Sequence, residues 1–166
     1  MSLTEITESG FYNAVEGILH SDRFGCDISL FGKKTGEGYL TRCAEYFEQL
    51  PDGILHTLAA ASAAYLSDFL EEHEDELDVG GLTEVTEENV LSLLVPVQLT
   101  AVPHELLTDE DAPPAFGVKL MFRPVPDEFV EWTVCGDDPV YVGEYREVSP
   151  WNEKIKSKKW NYLNKA

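Results

Sequence analysis

FGVKLMFRPVPDEFVEWTVCGDDPVYVGEY, residues 116–145, is the stretch whose reading decides the fold. Val118, Leu120 and Phe122 alternate with Lys119, Met121 and Arg123, and Val130, Trp132 and Val134 alternate with Glu131 and Thr133. Successive side chains on a strand point to opposite faces, so a period of two predicts strands at 116–122 and 129–135, each with one buried face. Pro124-Val125-Pro126-Asp127 supplies turn chemistry between them. Gly136-Asp137-Asp138-Pro139 predicts a hairpin from 129–135 into a further strand at 140–145. Upstream, 97–102 alternates in the same way and is set off by Pro113-Pro114.

Towards the N-terminus the period changes. Leu40, Cys43, Ala44, Phe47 and Leu50 recur at helical spacing, predicting a helix over 39–50 that Pro51-Asp52-Gly53 breaks. A longer helix follows, with Leu55, Leu58, Ala59, Ser62, Tyr65, Leu66, Phe69 and Leu70 on one stripe. Its alanine-rich middle favours helix and permits close packing against a sheet. Thr86 reads as an N-cap, with Glu87 and Glu88 in the first turn where the helix dipole favours anions. That short helix should end near Leu94, before Pro96. Segments 11–19 and 27–31 read as a hairpin through the turn-rich 20–25, with a short helix as competitor over 11–19. Residues 1–9 read as polar and acidic, with no apolar leader. The expectation is an α+β domain over 1–150: an antiparallel sheet of four to six strands with two main helices packed on one face. Residues 151–166 form a basic, aromatic tail.

The formal net charge is −19 over 166 residues, with 43% hydrophobic residues, too many for a disordered chain. The sign reverses at the end, where five lysines face only Glu153 in 151–166. An anionic body repels phosphate backbones and anionic membrane surfaces, and attracts basic proteins. The expected partner is therefore a basic protein, not a nucleic acid or a membrane, and the chain itself a monomer or homodimer. The run 54–66 is short of the ~20 apolar residues that span a bilayer. Cys26, Cys43 and Cys135 are far apart with no C-x-x-C pair, which predicts reduced thiols in the cytoplasm. In the tail, Ile155, Lys159, Tyr162 and Leu163 have partial helical periodicity. It could dock on the acidic body, mediate self-association or bind an external partner.

No motif in the chain requires catalysis, and no cofactor or metal is expected. Glu72, His73 and Glu76 could share a helix face, but the run lacks calcium-loop punctuation and the two-histidine pattern of a zinc helix. The 32–38 loop places glycines, lysines and a threonine before a helix. Lys33 is followed by Lys34 where the phosphate-loop motif needs Ser or Thr, and Lys33 stands where Lys34-Thr35 would need the preceding glycine. The leading reading is a non-enzymatic interaction protein whose partner-binding residues are Glu71, Glu72, Glu74, Asp75, Glu76, Asp109, Glu110 and Asp111. One alternative is a small hydrolase or ligand-binding domain with a pocket near His104, Asp127 and Glu128. Another is a structural or assembly protein using the tail.

Thr86-x-x-Asn89-Val90-Leu91 leading into Val95-Pro96-Val97, then Phe116-Gly117-Val118 and Pro126-Asp127-Glu128, resembles an uncharacterised family of small bacterial α+β domains with immunity-protein-like relatives. The resemblance covers 35–145. Family members often follow the Asp-x-Glu-type turn with His-Gly, where this chain has Phe129-Val130. The resemblance implies the fold and a toxin-neutralising partner role, without an established activity.

Overall fold

The alternating segments become neighbouring strands of one mixed sheet. The computed structural model describes residues 2–9 and 14–165. Its elements are β1 (Ser2–Ser9), β2 (Ala14–Ser21), β3 (Cys26–Lys33), α1 (Glu37–Glu48), α2 (Asp52–Glu72), α3 (Glu87–Leu93), β4 (Leu94–Ala101), β5 (Ala115–Phe122), β6 (Val125–Cys135) and β7 (Asp138–Glu144). The sheet runs β1-β2-β3-β4-β5-β6-β7 in chain order. Six strands, β2–β7, make the body of this α+β fold, and β1 extends its edge. The expectation for 1–9 contained no strand. Of the 11–19 segment, 11–13 lie outside the described residues and the rest is strand.

Every junction is antiparallel except β3–β4, where Ser29 to Gly32 run parallel to Gln98 to Ala101. Parallel neighbours need a long crossover, and α1, α2 and α3 supply it. Alternation within a strand carries no information about its neighbour's direction, so this junction was invisible to the pattern.

The register sets one core row: Leu99 beside Val118, Val118 beside Trp132, Trp132 beside Val142. All four are fully buried. The helices cover this face. α1 brings Leu40, Cys43, Ala44 and Phe47 to β2–β4, and α2 lies over β7 with Leu58, Ala59, Ala61, Ser62 and Leu66 buried. The small side chains let α2 approach the sheet closely enough for Trp132 Nε1 to donate to Ser62 Oγ at 2.7 Å. Ser62 Oγ in turn donates to the Leu58 carbonyl at 2.7 Å, so a buried indole N–H and a buried hydroxyl satisfy each other. Phe24 stacks on Phe47 at 5.2 Å, and Phe47 meets Phe116 edge-on at 6.0 Å. Thr86 does cap α3, and Asn89 completes a reciprocal capping box.

The tail is not one helix. Asn152 and Asn161 each accept a backbone N–H two residues on, starting the 3-10 turns Glu153–Ser157 and Tyr162–Asn164. Such local bonds compete with helix. The tail lies against the body. Asn161 Nδ2 donates to the Val140 carbonyl at 2.8 Å and its Oδ1 accepts the Val142 N–H at 3.3 Å, so one side-chain amide continues the ladder at the β7 edge. Tyr162 donates to Asp68 at 2.8 Å, and Lys156 pairs with Asp138.

Ser62→Ala should leave the Trp132 indole N–H buried without a partner, a loss of ~1–3 kcal/mol. At ~2–4 °C per kcal/mol for a chain of this size, thermal melting should show a Tm several degrees lower. An unchanged Tm would show that the bond contributes nothing net.

Candidate functional site

The acidic positions singled out in the sequence fall on two separate elements. Glu71 and Glu72 end α2, and Glu74, Asp75 and Glu76 follow in the next turn, all exposed. Asp109, Glu110 and Asp111 lie in the loop between β4 and β5. That loop is tied down from α1. Arg42 donates to the carbonyls of Asp109 (2.5 Å) and Ala112 (3.0 Å), while Tyr39 donates to the Pro113 carbonyl (2.9 Å) and accepts the Ala115 N–H (3.1 Å). Asp109 differs from the rest of this set in its exposure. It is half-buried, its carboxylate accepting the Gly36 N–H at 3.0 Å and the Thr35 hydroxyl at 3.3 Å in front of α1. Asp111 accepts the Thr108 hydroxyl at 2.8 Å, which leaves Glu110 pointing to solvent.

Cations do little to neutralise this surface. Arg23, like Arg42, donates to main-chain carbonyls, those of Glu48 and Leu50 at 3.3 and 2.7 Å. Lys119 Nζ sits over the rings of Phe129 (4.2 Å) and Tyr145 (4.7 Å). Among the described residues, the Lys or Arg pairs with carboxylates are Arg23–Asp52, Arg146–Glu144 and Lys156–Asp138.

The pocket that the alternative reading places near His104, Asp127 and Glu128 does not form from those side chains. Ala101 pairs with Phe116 and Phe116 with Val134, so His104 follows the end of the sheet where β6 finishes. Asp127 and Glu128 stand near the start of β6, roughly 20 Å away at ~3.3 Å per residue. Sequence proximity to prolines said nothing about which sheet end each loop joins. His104 Nδ1 accepts the Leu106 N–H at 3.0 Å, and its ring meets Trp151 edge-on at 4.7 Å. Glu128 accepts the Tyr65 hydroxyl, and burial raises its carboxyl above the ordinary range. In the 71–78 run, His73 Nδ1 lies 3.2 Å from Glu76. Among the described residues, no group of three or more His, Cys, Asp or Glu is placed to hold a metal ion.

A cavity of about 230 Å³ lies instead on the sheet face opposite the helices. Its floor is Gln98 and Thr100 of β4, Gly117 and Lys119 of β5, and Glu131 of β6; Tyr145 and Val148 wall it from the arm that follows β7. Glu131 is 1% exposed. Its Oε1 accepts the Thr133 hydroxyl (3.1 Å) and the Val148 N–H (2.7 Å), and its Oε2 accepts the N–H groups of Arg146 (2.6 Å) and Glu147 (2.8 Å). Glu147 adopts φ +56°, a left-handed conformation that lets consecutive N–H groups converge on one anion. Burial pushes the Glu131 carboxyl up, and its four donors pull it back without cancelling the shift. With its four lone-pair positions engaged, Glu131 holds the arm in place rather than serving as a free base. In the sequence it stood at an alternating polar position and read as a solvated strand face. A nest built from backbone N–H groups leaves no signature in side-chain pattern.

Comparison with protein-family models, with curated proteins and with solved structures finds no match to this chain. No described helix is long and apolar enough to cross a membrane.

The Glu128 and Glu131 carboxyls both lie above their ordinary value in the fold, so the native state binds protons more tightly than the unfolded chain there. That contribution to stability is full below the unfolded value of ~4.3 and is lost as pH rises through the folded values. Relief of surface repulsion acts in the same direction. Tm should therefore rise as pH is lowered from 8 to about 5, and Glu128→Gln should flatten the slope. A Tm that falls over this range would contradict the assignment.

Proposed function

We propose that this chain is a non-enzymatic binding protein whose acidic surface recognises a basic protein partner. The observation that carries the reading is how little internal compensation there is: Arg42 is turned onto backbone carbonyls and Arg23 onto carbonyls and the single carboxylate of Asp52, while Glu71, Glu72, Glu74, Asp75 and Glu76 stand exposed. Within the run, Glu76 has the His73 ring beside it, and His73 carries a full charge only when protonated. A surface of one sign raises the rate of encounter with a cationic partner and disfavours acidic competitors. Glu110 belongs to the same coat, on a loop held rigid by Arg42 and Tyr39, so little ordering is lost when a partner binds there.

The specific form of this reading is a toxin-neutralising role in a bacterial cytoplasm. The family resemblance read from the sequence supports it, and so do the free thiols Cys26, Cys43 and Cys135, which suit a reducing compartment.

Affinity capture from the native cell should be run with the wild-type chain and with Glu71, Glu72, Glu74 and Glu76 all changed to Lys. The wild type should retain a basic protein that the reversed chain loses. With the purified pair, association should slow by about tenfold or more and lose its steep dependence on salt. If the role is toxin neutralisation, that partner should arrest growth when expressed alone and be harmless beside this chain. A neutral or acidic partner, or equal capture by both chains, would overturn the reading.

A further inference from the structure

The cavity on the open sheet face has features that the acidic surface does not explain. Gly117 sits at its floor, and a Cβ built there would come no nearer than 3.8 Å to the Glu131 carboxylate, so the space above β5 is empty volume rather than side chain. Val102, Val148 and the Tyr145 ring supply apolar walls. The buried Glu131 carboxylate presents no open acceptor, because Thr133 and the arm's N–H groups use all its lone pairs.

Of the polar groups that remain, Lys119 and Gln98 offer donors, while the exposed Glu147 on the same lining accepts the Tyr145 hydroxyl at 3.3 Å. Lys119 Nζ is held between the Phe129 and Tyr145 rings, and among the described residues no carboxylate lies within ion-pair distance of it. Gln98 spends one Nε2 hydrogen on Thr100 Oγ1 at 3.3 Å and retains the other. An ammonium fixed by aromatic rings in the lining of a mainly apolar slot recognises a molecule with an anionic head and an apolar body. Size agrees: a cavity of ~150 Å³ holds benzene, so about 230 Å³ takes one ring with a carboxylate attached. The chain's overall negative charge does not forbid this. Exposed charges beyond the ~8 Å screening length at physiological salt are weakly felt, the Glu131 charge in the floor is met by four hydrogen-bond donors, and Lys119 is in direct contact.

We infer that the cavity between β4, β5, β6 and the arm after β7 is a binding site for a small aromatic carboxylate, with its ring over Gly117 and its carboxylate on Lys119. The site lies on the sheet face that the helices leave open, and it does not depend on the partner-binding reading.

The test is a titration of the ¹⁵N-labelled chain with phenylacetate, and in parallel with uncharged phenylacetamide and cationic phenethylamine, read by amide chemical shifts. Phenylacetate should move the amides of Gly117, Lys119 and Val148 saturably, and more tightly than either analogue. Lys119→Met keeps the stem and removes the charge; it should weaken phenylacetate binding about tenfold or more, in keeping with the loss of a charge-assisted contact. Gly117→Val fills the floor with a residue that strands favour and should abolish binding while the spectrum stays dispersed. Should Gly117→Val fail to fold, Lys119→Met carries the test alone, since its side chain is only half-buried. Shifts that never saturate, equal affinity for Lys119→Met, or tighter binding of phenethylamine would each overturn the assignment.

Discussion

A carboxylate taken out of water must find its hydrogen bonds inside the protein, and the C-terminal third of this chain is arranged around that requirement at Glu131. The residue sits in the middle of β6, a strand paired on both sides, on the sheet face that receives no helix. An isolated buried carboxylate would be severely unfavourable. Here the arm after β7 turns back, takes a left-handed step at Glu147, and delivers the N–H groups of Arg146, Glu147 and Val148 to the two oxygens. Other contacts follow from the arm's position. Tyr145 reaches Lys119, Trp151 donates to the Val102 carbonyl at 2.8 Å, and Arg146 lies over the Trp160 ring at 4.8 Å. The tail is thereby delivered to the β7 edge, where Asn161 continues the ladder. The cavity is the space that this clasp encloses.

The two faces of the sheet use different physics. On the helix side, apolar packing dominates and the few polar groups, such as Trp132 and Ser62, close on each other. On the open side, polar and charged residues are buried by hydrogen bonds to backbone and by aromatic contacts. With only 12 Lys and Arg in the chain, most of its 31 carboxylates have no cation to pair with. Placing them outside is the arrangement that avoids their desolvation, and Asp109 and Glu131 come inside only where backbone N–H groups receive them.

The helix-side core was legible in the sequence because its signals are periodic. Val118, Leu120 and Phe122, and Val130, Trp132 and Val134, face inward as their alternation required, and the Thr86 cap and the breaks at Pro51 and Gly136 stand where turn chemistry placed them. The parallel β3–β4 junction escaped notice because direction is decided by the crossover and not by any residue in either strand. β1 escaped because Ser2–Ser9 has too few apolar residues to mark a strand. The tail's helical periodicity was misleading, since Asn152 and Asn161 bond their own backbone first. Glu131 illustrates the hardest case. Its polarity implied exposure, and only the chain's return through 146–148 reverses that inference.

Amide hydrogen exchange at Arg146, Glu147 and Val148 tests the clasp most directly. If their N–H groups are bound to a buried carboxylate, they should exchange slowly, at rates close to those of the β5 and β6 ladder, despite lying in a segment with no regular secondary structure. Glu131→Ala should release all three together. Exchange in the wild type at the rate of an exposed loop would contradict the account at its foundation.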